Sequence, residues 1–244
     1  MAAQRWVPEP FITAVGWLNL PQAAPFTGKI AHCRFAADAY HDGLFTELGV
    51  VFPSTLTRAV PKRRAEFLAG RYLASVVLPS LGYPQFTVGI GDDRAPCWPQ
   101  NVRGSLSHNA NTALCAAQVC DSSSLPGGVG IDVETLMDGP QALALLPMIV
   151  NGGEYELLRR HPNLSLSALL TLTFSAKESL FKMLYPQVGR LFDFADAQLV
   201  ALDESARRFT LELTTPLCAA FRAGMRFEGV YRLSRQDVIT FLYC

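Results

Sequence analysis

The sequence predicts an α+β chain with antiparallel sheets, and three observations carry that reading. Helical patterning is concentrated in two long stretches, 54–78 and 164–184. Runs of strand length follow one another with no helix between them, which favours antiparallel pairing over a doubly wound parallel sheet. Half of the 244 residues are apolar, enough for a sizeable core. Two similar halves, 1–134 and 135–244, are expected to meet near residue 135.

Along the chain, 54–78 reads as helix. Pro61 breaks or restarts it, and its stronger part runs over 62–77. Two segments rich in Gly, Pro and Ser, 89–104 and 121–130, interrupt the pattern. Residues 112–119 and 129–134 read as strands, and 164–184 places leucines at helical spacing. The segments 198–202, 209–213, 227–233 and 238–243 look like further strands. No short-period repeat or low-complexity tract is present.

The charges balance, with 21 Lys plus Arg against 21 Asp plus Glu, so nothing global suggests a nucleic-acid binder or a protein held on anionic lipid. Charge-driven recognition must be local. The six cysteines, at 33, 97, 115, 120, 218 and 244, form no C-x-x-C pair and no recurring spacing, which points to a reducing, cytoplasmic setting. The N-terminus carries Arg5 but no apolar run with a small-residue cleavage site. The longest greasy stretch, 142–150, contains Pro147 and falls short of the ~20 residues that span a bilayer.

Four segments could carry chemistry. In Gly130-Ile131-Asp132-Val133-Glu134, strand alternation sends Asp132 and Glu134 to one face, roughly 6.5 to 7 Å apart at Cα, where they could close around one divalent ion. Oxygen-only ligands suit magnesium. In Phe174-Ser175-Ala176-Lys177-Glu178-Ser179-Leu180-Phe181-Lys182, Glu178 and Lys182 lie one turn apart and can enter one cleft. Ser175-x-x-Glu178 also spells a capping box, but the helical pattern starts before Ser175. The loop Gly104-Ser105-Leu106-Ser107-His108 follows Arg94-Ala95-Pro96-Cys97-Trp98-Pro99 and suits anion binding, since hydroxyl and imidazole both donate to phosphate. Neighbours in extended chain face opposite ways, which leaves Ser107 and His108 poorly placed as nucleophile and base. In the basic stretch 62–71, Arg64 and Arg71 share a helix face and could clamp phosphate, while Gly70 hints at close packing or at the close approach of something. Taken singly, the Asp132–Glu134, Glu178–Lys182 and Arg64–Arg71 pairs read first as ordinary solvated faces, and the 104–108 loop reads equally well as a polar loop around a partly buried histidine.

Together and in this order, the four segments resemble the phosphopantetheinyl transferases of the surfactin and enterobactin type. That family has a basic helix, a G-S-[LI]-S-H loop, a G-[IV]-D-[IV]-E strand and an [FW]-S-x-K-E-x-x-x-K helix, matched here from about residue 60 to 185. Phe174, where many members carry tryptophan, and the residues after it are closest to the enterobactin-type subgroup. The resemblance implies two pseudo-symmetric halves with coenzyme A and magnesium in the cleft between them. It also implies that Asp132, Glu134 and Glu178 hold the metal, with the Val133 carbonyl or a water completing a position. His108 would meet the 3′-phosphate of coenzyme A with Ser107 beside it, Arg64, Arg71 and Arg94 would make further phosphate contacts, and Lys182 would lie on the pyrophosphate.

The implied activity is transfer of 4′-phosphopantetheine from coenzyme A to a serine of an apo peptidyl, aryl or acyl carrier protein, with release of adenosine 3′,5′-bisphosphate. The expected setting is siderophore or other secondary-metabolite synthesis, and the expected state a cytoplasmic monomer. Catalysis would be positioning and charge neutralisation, with Glu178 as base, either directly or through a metal-bound water, and Lys182 as the phosphate charge. Two rivals are a non-catalytic module binding coenzyme A or a carrier, and an acyl-serine enzyme suggested by Ser179-x-x-Lys182. The carrier would meet the apolar 143–170 region.

Overall fold

The computed structural model describes residues 11–21, 26–120 and 127–244. The greater part of the expected 121–130 break, and Arg5, lie outside them. The described residues form two compact units, those within Met1–Leu18 and Gly28–Val119 in the first and those within Asn19–Thr27 and Cys120–Cys244 in the second.

The first unit begins with strands β1 (Ile12–Trp17) and β2 (Lys29–Phe35), then a short turn of helix α1 (Leu44–Glu47) and the 20-residue helix α2 (Pro61–Ser80). Pro61 is at the start of α2, where its fixed φ suits the first turn and its missing N–H costs nothing. Gly82, at φ +91°, lets the chain turn back so that the Tyr83 amide reaches the Leu78 carbonyl and closes the helix end. A hairpin, β3 (Gly89–Ile90) and β4 (Pro96–Cys97), precedes β5 (Val102–His108) and β6 (Thr112–Val119). The main sheet is antiparallel, in the order β1-β2-β6-β5. The face of α2 carrying Ala65, Leu68, Ala69, Leu73 and Val77 is buried with Ala31, Cys33, Cys115 and Ala117 of β2 and β6. Small residues on both sides bring helix and sheet close.

The second unit opens with β7 (Val129–Thr135), followed by α3 (Gly139–Ile149), α4 (Gly152–Leu158) and the 23-residue α5 (Leu166–Val188). Four strands complete it, β8 (Ala197–Asp203), β9 (Arg208–Leu213), β10 (Arg226–Leu233) and β11 (Asp237–Tyr243), in the antiparallel order β7-β11-β10-β9-β8. Ser165 caps α5 by accepting the Ala168 amide, and Gly189, at φ +67°, ends it. Leu169, Leu172, Ala176, Leu180 and Leu184 of α5 enter a core shared with Phe209, Leu211, Tyr231 and Leu242. The two units share a pattern of connection: after the long helix the chain enters the main sheet at its far edge and comes back to pair with the strand before the helix, by the two strands β5 and β6 in the first unit and the four strands β8 to β11 in the second.

Two expectations change. The division falls near residue 120, because β7, expected in the first half, is hydrogen-bonded along β11 from Thr135↔Asp237 to Val129↔Tyr243. Gly104 to His108 is strand rather than loop, and Gly104 is needed there because a Cβ would stand 2.5 Å from the Trp98 ring. The greasy 142–150 stretch is mostly α3, with Leu143 and Met148 exposed; among the described residues no helix is long and apolar enough to cross a membrane.

Candidate active site

In the second unit, alternation turns Asp132 and Glu134 to the face of β7 that lies on α5. Two glycines make that contact possible. A Cβ on Gly128 would stand 2.2 Å from the Met183 carbonyl oxygen, and one on Gly130 would stand 1.9 Å from that of Ser179. Two residues along a strand advance ~6.5 to 7 Å and four along a helix ~6 Å, so strand and helix keep step. The contacts therefore run Gly128 to Met183, Gly130 to Ser179 and Asp132 to Ser175.

Asp132, only 2% exposed, accepts a hydrogen bond from Ser175 Oγ on Oδ2 at 2.7 Å and from Lys182 Nζ on Oδ1 at 2.6 Å. Burial pushes the Glu134 carboxyl up to about 7, with the charges of Asp132 and Glu178 adding and Lys182 opposing. Burial likewise raises Glu178, with Asp132 adding and Lys182 opposing. Asp132, Glu134, Glu178 and Lys182 thus share one electrostatic neighbourhood in which carboxylates outnumber cations. Oxygen donors with excess negative charge fit a hard divalent cation. Among the described residues, however, no three Asp, Glu, His or Cys side chains converge on one ion-sized point; Asp132 is tied to Lys182 instead. The Val133 side chain is buried and points to the opposite face of β7, so only its backbone could serve a metal.

Lys177 escaped sequence reasoning. Its ammonium, almost wholly buried, donates to the carbonyls of Ile149 (2.7 Å) and Phe194 (3.0 Å) and pairs with Glu154 at 2.8 Å. Glu154 also accepts the Leu199 and Asn151 amides. This pair ties α5 to the end of α3, to α4 and to β8, and so fixes the helix that carries Glu178. Ser179 is fully buried, and its hydroxyl bonds to Thr240, which removes it as a nucleophile and with it the acyl-serine reading.

In the first unit a cavity of about 1080 Å³ is lined by Arg63, Arg71, Arg94, Ser107 and His108, with Gly70 in its wall. A Cβ on Gly70 would meet no described residue beyond its own stretch of helix within 4 Å, so the glycine faces open cavity space. Arg71 stacks over the Phe67 ring, 4.5 Å from its centroid, and donates to the Gly89 carbonyl. Burial lowers its guanidinium to about 10, still cationic at neutral pH, and its buried Nε has no hydrogen-bond partner among the described residues. Arg94 adopts φ +68° in the 91–95 turn, an unusual conformation for a side-chain-bearing residue, where its amide donates to the Gly91 carbonyl.

Arg64 is a correction. It does not line the cavity: its guanidinium is spent on the Leu56 and Thr57 carbonyls and on Asp42. Its neighbour Arg63 is the cavity arginine, donating to His108 Nε2 at 2.7 Å. Since a guanidinium only donates, Nε2 is the acceptor, and the ring proton sits on Nδ1, 3.7 Å from Glu66. The face-sharing rule selected positions 64 and 71, whereas 63, 66, 67, 70 and 71 are the α2 positions that reach the cavity.

These two sites coincide with two family matches. Residues 52–118 match the 4′-phosphopantetheinyl transferase N-terminal domain and 128–232 the 4′-phosphopantetheinyl transferase superfamily. Enterobactin synthase component D of Salmonella typhi is 36% identical over 217 residues, covering 88% of this chain and 86% of that one. The 4′-phosphopantetheinyl transferase Svp of Streptomyces mobaraensis is 37% identical over 199 residues, covering 78% and 76%. A third relative, the 4′-phosphopantetheinyl transferase Npt of Nocardia iowensis, is 32% identical over 172 residues. The chain belongs to the 4′-phosphopantetheinyl transferase family.

Proposed function

We propose that the protein transfers the 4′-phosphopantetheine arm of coenzyme A to a serine of an apo carrier protein, releasing adenosine 3′,5′-bisphosphate. The observation that carries this is the clustering of Asp132, Glu134, Glu178 and Lys182 where β7 lies on α5. The bond broken is a phosphoanhydride, so the serine oxygen attacks phosphorus while negative charge grows on the leaving bisphosphate. Lys182 is the group on this helix that neutralises it, and Glu178, one turn earlier, accepts the serine proton. Magnesium, when bound, would neutralise pyrophosphate charge, held by Asp132, Glu134 and Glu178. Asp132 Oδ1 already accepts from Lys182, and the lone pairs left on the carboxylate are those that could serve the metal.

In the first unit Arg63, Arg71 and Arg94 supply positive charge for phosphate, with His108 and Ser107 for the 3′-phosphate. Two relatives are 4′-phosphopantetheinyl transferases by name and another is a component of enterobactin synthase, which makes carriers of siderophore assembly the first to test. The test is to incubate purified apo peptidyl, aryl and acyl carriers with the protein, coenzyme A and magnesium, then weigh them. At least one should gain the mass of phosphopantetheine on its serine, and Lys182→Ala should slow this at least about a hundredfold. If no carrier is modified, the proposal fails.

A further inference from the structure

β11 is apolar through its centre except for Thr240, a fully buried residue in the run Val238-Ile239-Thr240-Phe241-Leu242. Thr240 lies directly across the ladder from Asp132, so both side chains leave the sheet on the same face, toward α5. Three buried hydroxyls meet there. Ser179 Oγ is 2.7 Å from Thr240 Oγ1, and Thr240 Oγ1 is 2.9 Å from Ser175 Oγ and 2.8 Å from the Ser175 carbonyl oxygen. Ser175 Oγ is 2.7 Å from Asp132 Oδ2.

Each hydroxyl has one proton to give, and an ionised carboxylate only accepts. The carboxylate makes Ser175 the donor to Asp132; Thr240 then shares its single proton between the carbonyl and hydroxyl oxygens of Ser175, and Ser179 donates to Thr240, at Oγ1 or at its carbonyl oxygen 3.1 Å away. The Ser175 hydroxyl alone could rotate or turn to a backbone carbonyl, as serines within helices do. Thr240, bonded to both the hydroxyl and the carbonyl of Ser175, holds it aimed at Asp132.

We infer that Thr240 is a positioning residue for the reaction: through Ser175 it fixes Oδ2 and so sets the orientation in which Asp132 offers Oδ1 to Lys182 or a cation. Buried partners that orient a ligand in this way commonly matter about tenfold or more for metal affinity. Thr240 lies beyond both family matches and outside every motif singled out in the sequence. The inference rests on the proposed reading of Asp132 as a metal ligand.

The experiment is a manganese titration of the full-length protein without substrates, following free Mn²⁺ by its electron paramagnetic resonance signal, alongside thermal melting. Thr240→Val keeps the shape and loses the hydroxyl; Thr240→Ser keeps the hydroxyl. Weakening of Mn²⁺ binding by about tenfold in Thr240→Val, with recovery in Thr240→Ser, is expected. Asp132→Asn separates the two layers of the argument. If Asp132→Asn binds Mn²⁺ as the parent does, the ligand reading falls and the inference with it. If Asp132→Asn abolishes binding while Thr240→Val does not weaken it, the inference alone falls. It also falls if Thr240→Ser binds as poorly as Thr240→Val, or if the loss in Thr240→Val follows its melting temperature rather than the hydroxyl.

Discussion

Arg63 and Arg64 are consecutive, carry the same charge and end in different places. Arg64 is closed off by two carbonyls and by Asp42, whose own carboxyl is held below its ordinary range by the Tyr40 hydroxyl and Arg64; it packs the start of α2 onto the preceding turn. Arg63 faces the cavity and is steadied by His108. If this corner receives the 3′-phosphate, His108→Ala and Arg63→Ala should each raise the KM for coenzyme A about tenfold relative to 3′-dephospho-coenzyme A, the scale of one hydrogen bond to a charged group. Arg64→Ala should penalise both substrates alike, with a lower melting temperature. Steady-state kinetics with the two substrates decides it, and equal penalties in His108→Ala would remove the role. No spacing rule separates residue 63 from 64; the choice is made by what lies beside each, which depends on long-range packing.

At the scale of elements, the strands from β6 onward and helix α5 were legible because their periods are clean and their ends carry turn residues. β1, β2 and β5 were not. β1 is largely exposed, β2 mixes His32 and Arg34 into its pattern, and the Gly and Ser of β5 imitate a loop until Trp98 is seen filling the space that Gly104 leaves. Helical and strand periods gave Asp132 with Glu134 and Glu178 with Lys182 their shared faces, but only the register of β7 on α5 shows which oxygen meets which donor. That register depends on Gly130. Gly130→Ala would drive a methyl into the Ser179 carbonyl, an overlap the flanking backbone can relieve only by separating strand from helix. We expect a loss of about 2 kcal/mol or more in urea unfolding, together with lost transfer activity, because Asp132 moves from Ser175 and Lys182. Retention of both would mean that the close contact does not set the site.

Among the described residues one large core is built around α2 and another around α5, with a smaller cluster of Met137, Ala142, Ile149 and Leu170, and the two family matches follow the division between the two large cores. The equal numbers of acidic and basic residues gave no hint of it, since neither core depends on net charge. The cysteines report on both units without any new label. None of the six forms a disulfide among the described residues, with Cys33 and Cys115 buried in the first core and Cys97 and Cys244 exposed, one in each unit. Burial pushes the Cys33 thiol up to about 12 and raises Cys115 as well, so at pH 8 both stay in the unreactive thiol form, quite apart from access. Iodoacetamide at pH 8 should therefore modify Cys97 and Cys244 in the native protein and spare Cys33 and Cys115. Those two should react only in urea that unfolds the first core. Peptide mass mapping along a urea series reads each site separately; modification of Cys33 or Cys115 without denaturant, at the rate of Cys97, would show that the first core is looser than its packing indicates.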